Sequence, residues 1–422
     1  MFKHHLSAIL KGILLLTVSI IVGALLMIAV YAIPADAVRE NVRASMDTLN
    51  SEGLRYAVIP GYSSSRLDNF TDAIMLGNMI IAPSPSLVEN AMTNSRFTGG
   101  QPISALNSYL EGDESVGFET YSRYWHGYLV ILKPLFLFIN YNSVRVLNMT
   151  AQLALVLSIA ALLGKRRLGR YVIPLFAAYM SLCPIALMCS LQYSSVFYIA
   201  FLSMLCMLLL HEHLVQMGYG LFFLLIGILT SFFDFLTYPV ITVGLPLALF
   251  CVLMQHGKAP VRPATLICLG AAWASGYAGM WSGKWLAASL LTGHNSFEEA
   301  GSSILYRSGA HTDEGEPISI FTGLECNLQQ LFNPLFALVF LGVIALCVLL
   351  LLRRGLKLRL LPRYGLPYLL IALLPAAWLI ATCNHAVSHT FYTYRSLSVA
   401  VFAIPCLLLS IAGNGHSLHP FQ

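Results

Sequence analysis

Apolar runs near the roughly 20 residues that a helix needs to cross a bilayer recur along the chain, separated by polar connections. The first, Gly12 to Ile33, follows Lys3, His4, His5 and Lys11 and is too long for a signal-peptide core. It is expected to be an uncleaved first helix with the N-terminus inside. The run Val146 to Leu163 ends in Lys165, Arg166, Arg167 and Arg170, a cluster that the positive-inside rule assigns to the cytoplasm. Further runs at about 171–189, 194–211, 219–233, 238–255, 265–285, 332–352, 366–382 and 396–412 bring the expectation to about ten spans. Alternation from an inside N-terminus then puts Lys258/Arg262 and Arg353/Arg354/Lys357/Arg359/Arg363 in the cytoplasm, where basic loops belong. Both termini are expected to be cytoplasmic.

Between the first two runs lies a polar, mixed-charge segment from Pro34 to about Arg123, long enough to fold outside the membrane as more than a connection. Tyr124 to Ile139 is apolar but short and interrupted by Lys133-Pro134, which fits an interfacial or re-entrant helix better than a span. His294 to Gln330 forms a second external loop. The chain thus divides into an N-terminus and first helix (1–33), a large extracytoplasmic loop (34–145), central helices (146–293), the second loop (294–330) and C-terminal helices (331–422). No convincing internal repeat is present.

Composition fixes the class. The 422 residues are 57% hydrophobic and only 10% charged, against about 25% charged in an ordinary soluble domain. A water-soluble globular protein is excluded, and the fold expected is an all-α, polytopic transmembrane helix bundle in the plasma (inner) membrane. The net charge of +5 comes from scattered Lys and Arg without a basic block, so nucleic acid is not an expected partner. Eight of nine cysteines fall in or at the ends of apolar runs and no CxxC pair exists, so neither a disulfide framework nor a Cys-ligated metal is indicated.

Ionisable residues near a membrane are costly, so their distribution is informative. Outside the basic cytoplasmic loops, Asp68, Asp72, Arg123, His126, Lys133, Arg145, Asp234, Lys284, His385, His389 and Arg395 all fall on the external side in this topology. Asp68 and Asp72 are four apart, which stacks both carboxylates on one face if the segment is helical. The pair suits a general base or a grip on a divalent cation such as Mg or Mn; the alternative is an N-capping Asp68 with a solvated Asp72. Arg123-Tyr124-Trp125-His126-Gly127 reads either as headgroup anchoring or, with Lys133 and Arg145, as a phosphate-binding rim in which Gly127 permits close backbone approach. Asp234 is either a helix-capping acceptor or a site residue, and Lys284 either snorkels between tryptophans or joins the rim. His385 and His389, four apart with no HExxH glutamate, suit substrate hydrogen bonding better than zinc.

This layout resembles the C-type superfamily of integral membrane glycosyltransferases, in particular its bacterial glucosyltransferase and arabinosyltransferase branches. The features that carry it are the first span, the large first external loop with Asp68/Asp72, the segment Tyr124 to Ile139, and Arg145 opening the next span. The resemblance implies a polyprenyl-phosphate sugar donor, a glycan or lipid acceptor in the cell envelope, and an acidic residue of the first loop acting as base or metal ligand. That role carries to Asp68 and Asp72, with Asp36 in contention because the pair lies some 35 residues beyond the first span. It also implies that outer-face cations, here Arg123, Lys133, Lys284 or Arg395, hold the lipid phosphate. The competing class is a transporter or flippase for a lipid-linked glycan, which predicts ionisable residues near the midplane and internal repeats. An envelope assembly protein, indifferent to loss of one carboxylate, is a third.

Overall fold

Apolar stretches with almost no interior charge have one local solution that satisfies every backbone N–H and C=O within the segment, and that is the helix. The computed structural model, which describes residues 2–355 and 361–412, is 75% helical with one short two-stranded sheet. The helices that frame the site are α1 (Phe2–Tyr31), α2 (Asn69–Ile80), α3 (Tyr141–Lys165), α4 (Leu191–Met217), α5 (Gly220–Phe233), α6 (Ile241–His256), α7 (Pro263–Thr292), α8 (Ser296–Ser308), α9 (Pro334–Arg354), α10 (Leu361–Ala381) and α11 (Ser398–Ile411).

Six helices among the described residues are long and apolar enough to cross a membrane: Leu6–Tyr31, Tyr141–Lys165, Leu191–Met217, Pro334–Arg353, Tyr364–Ala381 and Thr390–Ile411. This corrects the expected ten. The run at 171–189 breaks at Cys183, whose φ is +55°, into Val172–Ser181 and Pro184–Leu187. Helices α5 and α6, with 14 and 16 residues, reach only about 21 and 24 Å against a hydrocarbon thickness of about 30 Å. Every residue of α6 from Ile241 to Leu253 is buried, so this apolar run is the middle of the bundle rather than a lipid-facing surface. Apolarity records burial, in protein or in lipid alike. Lys357, Arg359 and residues 413–422 lie outside the described residues, as do the side chains of Lys3, His4, His5, Arg354 and Arg363.

The segment after α1 folds into a cap of short helices with its own core. Ala35–Arg43, Met46–Glu52, α2, Leu87–Thr93 and Pro102–Glu111 bury Val38, Val42, Leu49, Leu76, Met79, Met92 and Leu106 among themselves. Strands Arg96–Phe97 and Phe118–Glu119 pair antiparallel at its edge. The expected interfacial helix at 124–139 is a seven-residue helix, Leu129–Leu135, that buries Leu129 and Lys133 and exposes Ile131. Just before it, the Gly127 N–H donates to the Phe232 carbonyl at 2.9 Å, and a Cβ at Gly127 would lie 2.5 Å from that oxygen. The close backbone approach at Gly127 is thus made to α5, not to a phosphate, and it seats the cap on the end of that helix.

Small residues set the tightest helix pair. A Cβ at Gly227 of α5 would lie 2.0 Å from the Trp273 carbonyl oxygen, and one at Gly276 of α7 would lie 2.1 Å from that of Leu224. Both obstructions are backbone, which no rotamer change relieves. Gly227→Val or Gly276→Val should therefore force α5 and α7 apart and cost about 1–3 kcal/mol or more. A lowered thermal unfolding midpoint in detergent is expected, whereas Gly270→Val, at a position open to space, should leave the midpoint close to that of the parent.

Candidate active site

A cavity of about 430 Å³ opens where loops from the cap meet the ends of the bundle helices. From the cap come Arg55, Asp68, Arg96, Tyr121, Arg123 and Tyr124; from the bundle come Gln192, Phe235, Tyr306, Arg307, His385, His389 and Tyr392. A second cavity, lined by Lys165, Arg166, Arg167, His211, Glu212 and His256, lies at the other end of the same helices. Gln192 and His211 are separated by 19 residues of α4, about 28 Å at 1.5 Å per residue, close to one hydrocarbon thickness.

Asp68 sits at the mouth of α2 as its N-cap. Its carboxylate accepts from the Thr71 N–H at 3.3 Å and the Thr71 hydroxyl at 2.9 Å, and it is ion-paired with Arg55. The capping alternative is therefore realised, yet the residue also lines the cavity. Four guanidiniums surround that space. Arg96 and Arg123 both pack on the Tyr121 ring, with their charge centres 4.4 and 4.5 Å from its centroid, and Arg55 stacks on Phe391 at 4.4 Å. Each is also tethered to a carboxylate: Arg96 to Glu119 at 2.7 Å, Arg123 to Glu299 at 3.1 Å, Arg307 to Asp313 at 3.6 Å. Stacking and tethering hold planar forks in place while leaving further N–H donors on each guanidinium.

The helix α8 supplies the outer wall. Ser302, Ser303, Tyr306 and Arg307 line the cavity, while Phe297, Ile304 and Leu305 are exposed, Leu305 by 76%. Polar residues line the site and large apolar ones face outward.

Of the residues singled out from the sequence, Asp68, Arg123, His385 and His389 line this cavity. Asp72 does not. It is fully buried and accepts from the Tyr141 hydroxyl at 2.5 Å and from the Leu191 and Gln192 N–H groups at 2.9 and 3.0 Å, so it caps the start of α4. The stacking of the two carboxylates on one face fails because Asp68 precedes the helix and Asp72 turns into protein. Arg145 grips Glu52 with both arms at 2.7 and 2.8 Å and donates to the Tyr141 hydroxyl at 2.8 Å. Lys284 donates to the Ala91 and Met92 carbonyls and to Asn94, using all its protons inside the fold. Arg395 is spent on the Leu182, Phe391 and Ser64 carbonyls between the rings of Tyr193 and Tyr394. Lys133 lies over Tyr31, and burial pulls its ammonium down to about 8. Of the four expected rim cations only Arg123 reaches the cavity; the missed ones are Arg55, Arg96 and Arg307.

His126 is buried beneath the site, with Nε2 3.0 Å from the Tyr121 carbonyl and Nδ1 3.1 Å from the Tyr128 hydroxyl, and so holds Tyr121 from behind. Asp234 closes a tight turn by accepting from the Thr237 N–H at 3.0 Å and the Thr237 hydroxyl at 2.5 Å. That turn carries Leu236 at φ +64°, and the Leu236 carbonyl meets His385 Nε2 at 2.7 Å. Asp36, the third carboxylate in contention, is 89% exposed and pairs with Arg39. Among the described residues no three His, Cys, Asp or Glu side chains are grouped to hold a metal ion, and with Asp72 turned away the residues present do not form the anticipated carboxylate grip. No protein-family profile matches the chain, and searches of curated proteins and of solved structures gave no significant match.

Two outcomes follow. Asp72→Ala strips the acceptor from two backbone N–H groups and a tyrosine in a buried setting, and should cost about 2–5 kcal/mol, read as a lowered unfolding midpoint in detergent. Asp234 gives a pH signature. Burial lifts its carboxyl to about 6, above the value near 3.9 in an unfolded chain, so the folded state holds the proton more tightly. Its contribution to stability is complete below about pH 4 and is lost as pH rises through about 6. Asp234→Asn should flatten that part of the profile of unfolding midpoint against pH.

Proposed function

We propose that this chain is a membrane-embedded glycosyltransferase of the C-type kind, moving a sugar from a polyprenyl-phosphate donor to a cell-envelope glycan or lipid acceptor at the extracytoplasmic face. The observation that carries the reading is the cavity in which one buried carboxylate, Asp68, stands among four fixed guanidiniums at one end of the helices. Tethered, stacked arginines suit a phosphate, whose oxygens accept several directional hydrogen bonds at once. A carboxylate beside them suits removal of a proton from an acceptor hydroxyl as the sugar–phosphate bond breaks.

In mechanistic outline, Arg96, Arg123 and Arg307 hold the donor phosphate and stabilise the charge it gains on leaving. Asp68 takes the proton of the attacking hydroxyl. Its ion pair with Arg55 holds the carboxylate in place until an anionic donor competes for that guanidinium. The basic cluster at Lys165 to Arg170, at the far end, supports a cytoplasmic location for that face and an outside location for the cavity.

Three measurements bear on this reading. Cells lacking the protein should accumulate a polyprenyl-phosphate sugar, and an unchanged lipid extract would count against it. Asp68→Asn keeps the helix cap and should lower turnover by roughly 10² to 10⁴ without loss of folded protein. Arg123→Gln should weaken binding of farnesyl phosphate by about 1.5–3 kcal/mol, the loss of a charge-assisted hydrogen bond, while Lys133→Gln should not.

A further inference from the structure

The cavity lining around His385 carries buried polar side-chain atoms without partners. His385 is 4% exposed, and its Nε2 lies 2.7 Å from the Leu236 carbonyl. A carbonyl oxygen has no proton to give, so Nε2 bears the hydrogen and Nδ1 keeps a lone pair. That Nδ1 is buried and unpartnered, as is Nδ1 of His389, whose ring stacks on His385 with centroids 4.6 Å apart and planes at 27°. The side-chain oxygen of Gln192, 6% exposed, is unpartnered as well, its backbone N–H being taken by Asp72. All three residues line the one cavity. A polar atom left alone in a buried place costs about 1–3 kcal/mol, and three such residues around one space indicate that the missing partners belong to what the space holds.

We propose that His385, His389 and Gln192 form a neutral hydroxyl-binding subsite that takes the sugar ring of a phosphate-linked glycoside while Arg96 and Arg123 hold its phosphate. The proposal rests on the reading under Proposed function and adds to it a division of the site. Anionic recognition lies on the side of Arg96 and Arg123, and hydroxyl recognition on the side of His385. Burial and the nearby Arg307 pull the His385 imidazole down to about 4, so it remains an uncharged acceptor at neutral pH. The aromatic rings of Tyr392 and Phe235, which also line the cavity, suit the C–H face of a sugar ring. Asp234 is a positioning residue here, since its turn presents the Leu236 carbonyl that fixes the His385 tautomer.

The test uses the full chain in nanodiscs and compares binding of farnesyl phosphate with that of farnesyl-phosphoryl-glucose, -galactose and -arabinofuranose. In the parent protein at least one glycoside should bind about tenfold more tightly than farnesyl phosphate, the value of one or two net hydrogen bonds. His385→Phe should erase that increment and leave farnesyl phosphate affinity unchanged. His385→Gln should restore part of it, because an amide can donate to Leu236 and still offer an oxygen, and this guards against loss through misfolding. Arg123→Gln should weaken all ligands alike. An increment that survives His385→Phe, or no increment for any glycoside while farnesyl phosphate binds, overturns the subsite and leaves the phosphate reading standing. Failure of farnesyl phosphate itself to bind overturns both.

Discussion

The buried Asp72 carboxylate is the joint between the cap and the bundle. It belongs to a helix of the cap, yet its acceptors are satisfied by the first two N–H groups of α4 and by Tyr141 at the start of α3. Helix N-termini carry unpaired donors and partial positive charge, so a carboxylate there satisfies hydrogen bonds and the macrodipole together. Arg145, held by Glu52, closes the same network from the side. Two bundle helices and two cap helices thereby meet at one buried acid. Since Asp68 lies one turn away and Gln192 is the residue whose N–H Asp72 accepts, the network also sets the spacing across the cavity.

How much of this could be read from the chain differs between fold and site. Helical architecture and membrane character follow from apolar runs, because in an apolar medium a continuous hydrophobic stretch has few alternatives to a helix. The number of spans does not follow, since α6 is as apolar as a lipid-facing helix while being enclosed by protein on all sides. Gly227 and Gly276 show the same limit. Their spacing permits close approach, but which helix approaches is a tertiary fact.

Around the cavity, some of the side chains that the sequence singled out come together and others are drawn into the fold. Asp68, Arg123, His385 and His389 share the cavity although the outer pair are 321 residues apart. Lys284 and Arg395 looked equivalent to Arg123 because each is a lone cation beside aromatics. Only the folded chain shows that backbone carbonyls from elsewhere consume them. Arg55, Arg96 and Arg307 sit in polar, mixed-charge segments where a cation reads as solvated surface. The aromatic rings that receive the guanidinium faces of Arg55 and Arg96 are distant in sequence, so no local signal marks those two residues.

The outward face of α8 bears on how any ligand reaches the cavity. Phe297, Ile304 and Leu305 turn away from a wall whose other side is polar. A ligand carried on a long hydrocarbon tail meets such a wall by diffusing in a plane, not through bulk water. Its effective concentration is then a mole fraction among surrounding amphiphiles, so adding detergent dilutes it even when the molar amounts of protein and ligand are fixed. Affinities compared between micelles, bicelles and vesicles will agree only when expressed on that two-dimensional scale.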